Sequence, residues 1–470
     1  MAKSRQVWGG WKPDVSPFMS DGLVTAEGVY ASVNGYKPIG QFLAFADSPT
    51  GTFNGGAGFV NSLGATVVLA GNTTKLYVKS GTSWTLISTP AAFNGRWHFT
   101  QFGDKAVCVN GGAVLKVNLL TNAVASLGGS PPTAELCCTL RDFVVLGRTG
   151  SDYAKVTWSG FNDAESWTSG TNLSGYQPMQ AGGKIVGLVG GEFGLILQRY
   201  RIVRMSFTGD GNAPFQFDEI SQTGCRSEGS IAQAGRLTWY LSDRGFCETD
   251  GVTVTQVGNE LFNRTFLASY SDGEIQAMWA TTDPIRSLVI WAIGNKLWIY
   301  NWDLQRMTTA TMTVTGLMPA FSDGLTLDGL DAVYTNLDNI GFSLDDDRLK
   351  GGYPKLTVVN GSGAFGTLES TSMAATITGP IVEYIDGREG RIRYLHPICD
   401  ATSGISITVN SLATLGATPV ASAASALNAR GDMHVRSRGR YHQITQQIAA
   451  GTTWSYSEGV DVDLEAGGAR

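Results

Sequence analysis

The four histidines of this chain, His98, His396, His434 and His442, lack the close spacing at which two of them share a metal on a helix face. Each reads as a strand residue rather than a ligand or base. Six cysteines (Cys108, Cys137, Cys138, Cys225, Cys247 and Cys399) have no metal-ligand spacing either. The adjacent Cys137 and Cys138 point to opposite faces of a strand, and a chain of 470 residues needs no disulfide to hold a core. No nucleophile elbow, phosphate loop or dinucleotide turn precedes a helix. Glycoside hydrolysis requires two carboxylates flanking a cleft, one of them kept protonated. Asp163, Glu165, Asp218, Glu219 and Asp243 are available, but no pattern pairs them. The Asp-box turn of propeller sialidases is approached by residues 80–84 (SGTSW), which lack the Asp, and by 242–245 (SDRG), which lack the Trp. Asp210 with Asn212, and Asp345 to Asp347, offer oxygens without the alternating spacing of a calcium loop. Arg430, Gly431 and Asp432 spell an adhesion tripeptide and read as a turn. The expectation is no catalytic residue, no cofactor and no metal.

One constellation stands out. Arg436, Arg438 and Arg440 alternate along an expected strand, flanked on the same face by His434 and His442. Asp461, Asp463 and Glu465 alternate along another, with Val460, Val462 and Leu464 opposite. If the two strands are neighbours, Arg–carboxylate pairs lace one side of a sheet; at a subunit border the same pairs fix register between copies. An ordinary solvated face is the competing reading. Arginine without lysine favours an interface, because guanidinium is weakly hydrated and grips carboxylates bidentately.

The elements that must carry these residues are strands. Charged residues make up only 16% of the chain and there are 60 glycines, a composition suited to short strands and tight turns rather than long helices. Near-continuous apolar runs centred on Val68, Val107, Val144, Leu195, Trp239 and Val289 recur at steps of 39, 37, 51, 44 and 50 residues. Each is followed by a turn and a second strand beginning near Lys75, Val114, Ala154, Ile202, Val252 or Lys296. Runs buried on both faces with more alternating partners, at this period, predict an all-β, six-bladed-like β-propeller. Nine of the twelve tryptophans lie between Trp84 and Trp302, where wide blade-to-blade contacts need large side chains. An acidic, loop-like stretch (321–350) is expected to contain the exit from the last blade.

Residues 1–54, punctuated by Pro and Gly with Trp8, Trp11 and Tyr36 as anchors, read as an N-terminal arm or platform segment, and 55–367 as the propeller. Lysine disappears after Lys355, and residues 368–470 read as a C-terminal β-sandwich or platform. The net charge of −6 advertises no tight nucleic-acid binding. The start lacks the apolar stretch of a signal peptide and no window spans a membrane, which predicts folding in the cytoplasm.

The opening residues Pro13 to Phe18 (PDVSPF) and Val33 to Pro38 (VNGYKP) resemble the opening of phage tail nozzle, or tail tubular B, proteins. Residues 439–442 (GRYH), Trp454 and 459–462 (GVDV) resemble that family's closing strands. With the propeller between them, the likeness spans most of the chain. It implies a homo-hexameric ring in the tail of a short-tailed virion, assembled in the host cytoplasm, docking on a tail adaptor ring and carrying fibres or spikes. Double-stranded DNA would pass through without specific contact, repelled by acidic walls. The alternatives are a propeller-type glycan-binding protein or glycosidase at the bacterial surface, and a cellular propeller scaffold.

Overall fold

The computed structural model describes residues 2–18, 20–90, 95–322 and 352–466. Most of the acidic stretch, including Asp345 to Asp347, lies outside the described residues. The chain is all-β. Its apolar runs become the second strands of antiparallel blades of four strands, the last of them part of a larger sheet: Thr66–Gly71, Lys105–Val109, Phe143–Thr149, Gly194–Gln198, Leu237–Ser242 and Leu288–Ile293. A second strand has a neighbour on each edge and another blade against each face, so polar side chains would be stranded there.

Blades 1 to 6 occupy residues 56–88, 98–126, 136–178, 185–221, 232–256 and 279–311. A seventh sheet corrects the count of six: Val314–Phe321, Pro354–Asn360 and Phe365–Thr367 are completed by Leu43–Ala46 from the opening segment. Alternation along the strands sends neighbouring residues into different inter-blade cores. Cys108 packs with Leu69 and Val117 between blades 1 and 2, whereas Val107 and Val109 pack with Val144 and Leu146 between blades 2 and 3. Ala46, Val68, Ala70, Met318, Val359 and Phe365 fill the core between blades 7 and 1, which closes the ring.

Beside the propeller sits a two-sheet platform. One sheet joins Val29–Ser32, Gly35–Pro38, Ser457–Ala466, Gly390–Cys399 and Met433–Gly439, with Ala2–Val7 also paired to Ser457–Ala466. The other runs from Ile405–Leu412 through Tyr441–Ile448, Ala375–Val382 and Thr25–Glu27 into Arg306–Thr311, the outer strand of blade 6. Propeller and platform therefore share a sheet. Ile392, Leu395, Val435, Val460 and Val462 face Ile377, Ile407, Val409 and Ile444 across the sandwich. Among the described residues no helix is long and apolar enough to cross a membrane.

The opening motif stitches the two parts together. The Asp14 side chain, 2% exposed, accepts hydrogen bonds from the Arg264 and Thr265 amides (2.8 Å each) and from Thr265 Oγ1 (2.6 Å), capping the helix Asn263–Ser269 between blades 5 and 6. Asp14→Ala is expected to cost about 0.5–2 kcal/mol, as loss of an N-cap does. Urea unfolding checks it, and a variant as stable as the parent would show that the cap is idle.

Candidate functional site

The platform's outer face carries the constellation of arginines and acids, but not as neighbouring strands. Gly390–Cys399 lies between Met433–Gly439 and Ser457–Ala466 and pairs with both, so the expected laced pairs do not form. The reason is length: this strand has ten residues, enough to separate the two along their whole extent. Arg438 binds Glu389 instead (Nε to Oε2, 2.8 Å). Asp461 is gripped bidentately by Arg5 at 2.7 and 3.0 Å, which holds its carboxyl below the usual range. Glu465 faces Arg393 at 3.7 Å.

The single expected strand from His434 to His442 is broken at Arg440, where the chain crosses from one sheet to the other. Arg440 consequently pairs with Glu383 (Nε to Oε1, 2.7 Å). His442 lies fully buried rather than on the arginine face, its pKa lowered first of all by burial. Arg391 stands directly opposite Arg438 in register, and both it and Arg436 are exposed. Among the described residues neither Arg391 nor Arg436 has a carboxylate partner. Like charges placed opposite one another on a sheet are unfavourable. Glu465 stands opposite Arg391 on its other side, so Arg391, Arg393, Arg436 and Arg438 share Glu389 and Glu465, and the stripe is short of counter-charge.

A second charged cluster, unseen in the sequence, joins several blades at the ends of their innermost strands. Glu228 precedes the innermost strand of blade 5 and accepts from His98 Nε2 at 2.8 Å, at the head of blade 2's innermost strand. Its other oxygen meets Arg148 Nη2 at 2.8 Å. Arg148, 6% exposed, also donates to the Ile185 and Val186 carbonyls of blade 4 and to Glu135 Oε2. Arg96 donates to the Gln276 and Met278 carbonyls ahead of blade 6 and lies 4.0 Å from the Trp279 ring centre. Burial pushes the Glu228 pKa up, but His98, Arg148 and Arg96 outweigh it and hold the carboxyl well below its ordinary range. An open depression of about 360 Å³, bordered by Thr100, Thr139 and Gln233, lies along the innermost strands.

The carboxylates weighed for hydrolysis are scattered. Glu165 binds Lys105 and Lys116, Asp243 binds Arg199, Glu219 binds Arg201, Asp218 accepts from Gln216, and Asp163 caps the Glu165 amide. Asp210 accepts from the Asn212 amide in an exposed turn. Among the described residues no three metal-ligating side chains gather to hold an ion. The six cysteines are free thiols, with burial pushing Cys138 and Cys225 up to about 12.

No family model matches the chain, and no curated protein matches it in sequence. Solved structures match the chain only at low similarity. The extracellular domain of a one-component system from B. thetaiotaomicron is 9% identical with a TM-score of 0.44, covering 78% of this chain; the chain spans 44% of that protein's length. BamB from Moraxella catarrhalis is 11% identical (TM-score 0.38, covering 72% of this chain and 94% of that one). The WD40 domain of Neurospora crassa Pan2 is 8% identical (TM-score 0.40, covering 68% and 91%). At these distances the likenesses say nothing about what the chain does.

Proposed function

We propose that the chain is a structural subunit of a bacteriophage tail nozzle, a non-catalytic virion protein that assembles as a hexameric ring around the DNA-ejection channel. It docks on the tail adaptor and supports fibres or spikes. The observation that carries this reading is the meeting of the two motif sets that resemble the nozzle family. They stand more than 400 residues apart in sequence. In the fold Tyr36 pairs with Ser457, and a Cβ on Gly35 would collide with the Ser457 carbonyl. The Tyr36 hydroxyl donates to the Gly9 carbonyl at 2.6 Å. Resemblance at both chain ends is thus resemblance of one structural joint. The ion pairs that run across the blade ring add a constraint: a duplex would pass between copies rather than through a ring of blades.

Negative-stain imaging of the purified chain, with mass measurement, tests the reading. Sixfold rings with a central hole are expected, and a chain that stays monomeric at every concentration sinks it. The stripe short of counter-charge is the expected contact. Arg391→Glu with Arg436→Glu should reduce ring yield by about tenfold or more, the effect of 1.4 kcal/mol per contact, while leaving the circular dichroism spectrum unchanged. Undiminished rings would assign those arginines to solvent.

A further inference from the structure

The same platform face holds a groove of about 760 Å³ that the assembly reading leaves unused. Its floor is formed by the strands Ser457–Ala466 and Gly390–Cys399, and its rim by the loop around Arg430. Asn428 sets that loop: its side-chain oxygen accepts the Arg430 and Asp432 amides at 2.8 and 3.1 Å. Gly431 at the tip has φ +79°, a conformation glycine adopts without strain.

We propose that this groove binds an uncharged glycan. Three features choose that ligand class. First, the lining mixes signs: Lys3 and Arg430 stand against Asp432, Asp461 and Asp463, and Asp461 is already neutralised by Arg5. Neither a polyanion nor a polycation finds a wall of one opposite sign, whereas a hydroxyl, being donor and acceptor together, satisfies both. Second, Asp463 lines the groove and, among the described residues, its carboxylate has no ion-pair partner. A ligand hydroxyl can donate to it without bringing a second charge. Third, Tyr394 is 36% exposed and its ring is fixed edge-on by His434, centroids 4.6 Å apart. It offers a rigid apolar face beside polar groups, which suits the C–H face of a sugar ring. His396, 3.4 Å from Asp432, adds a ring nitrogen able to donate or accept.

Titration calorimetry of the full chain against short neutral oligosaccharides of hexose and N-acetylhexosamine tests the proposal, with a sulfated oligosaccharide and a lysine peptide as charged probes. At least one neutral probe is expected to bind. Tyr394→Ala and Asp463→Asn should each weaken it by about tenfold or more, and Arg438→Ala, outside the groove, should leave it unchanged. His396→Ala, at the exposed rim, provides a variant that cannot be confused with misfolding. The proposal fails if no neutral probe binds, if affinity survives Tyr394→Ala and Asp463→Asn, or if a charged probe binds more tightly than every neutral one. Ring formation is scored separately, so failure here leaves the nozzle reading intact, and the reverse.

Discussion

Glu228→Gln is expected to destabilise the protein by about 3–5 kcal/mol, the usual consequence of removing one partner from a buried ion pair. Arg148 is almost wholly enclosed, and its guanidinium is left with only the half-exposed Glu135 as counter-ion. The effect exceeds that of a surface bridge because the bonds cross the ring instead of following it. Through His98, Arg148 and Arg96, one cluster ties blades 2 to 6 at the axis, where a split between neighbours would begin. The pH dependence has a definite sign. The folded-state pKa is depressed, so the stabilisation is fully present above the unfolded value, about 4.3, and declines as pH falls towards the lower folded value. The gap between wild type and Glu228→Gln should therefore be full at neutral pH and should narrow on acidification below about pH 4. Urea titrations of both proteins over that range measure it. A variant within about 1 kcal/mol of wild type at neutral pH, or a gap that widens in acid, would show that the cluster is a solvated bystander.

How much of this was legible beforehand depended on whether a residue's partners were set by local periodicity or by long-range register. The six apolar runs were visible because a strand enclosed on both faces must be apolar throughout. In blade 5 the strand after the run is Gly245–Thr249, not the expected one near Val252, which belongs to the outer edge. Its letters, GFCET, are too mixed to stand out. The seventh blade was hidden for a different reason. Val358, at its centre, follows Val289 by 69 residues, outside the spacing of the others, and the blade's fourth strand is borrowed from residues 43–46. Alternation correctly placed Arg436 and Arg438 on one outward face, yet it cannot say which strand lies alongside. Arg440 was misplaced because a one-residue crossover between sheets leaves the pattern of letters unbroken. The axial cluster had no signature at all. Glu228, His98, Arg148 and Arg96 are joined only by the closure of the ring.

The fusion of platform and propeller leads to the second large effect, at Trp8. Its side chain is 1% exposed, its Nε1 donates to Ser457 Oγ at 3.0 Å, and its amide donates to the Glu458 carbonyl at 2.8 Å. Ser457 Oγ also accepts from Gln446 Nε2 at 3.0 Å, so the indole belongs to a bond chain linking both platform sheets. Trp8→Ala empties a large enclosed volume and is expected to cost about 3–5 kcal/mol. Trp8→Phe keeps most of the ring but removes the indole donor, leaving Ser457 Oγ with Gln446 alone, and should cost about 0.5–1.5 kcal/mol. The order matters more than either value, because it separates packing from the hydrogen bond. If the continuous sheet from Ile405–Leu412 to blade 6 couples the two parts mechanically, the damage will not stay in the platform. Far-UV circular dichroism, dominated by the propeller, and protease cleavage of the opening segment should then report one shared transition, displaced equally in Trp8→Ala. Two transitions, with the propeller's midpoint unmoved, would mean that Thr25–Glu27 is a passive strap, and that a ring built through the platform would leave the blades free to move on their own.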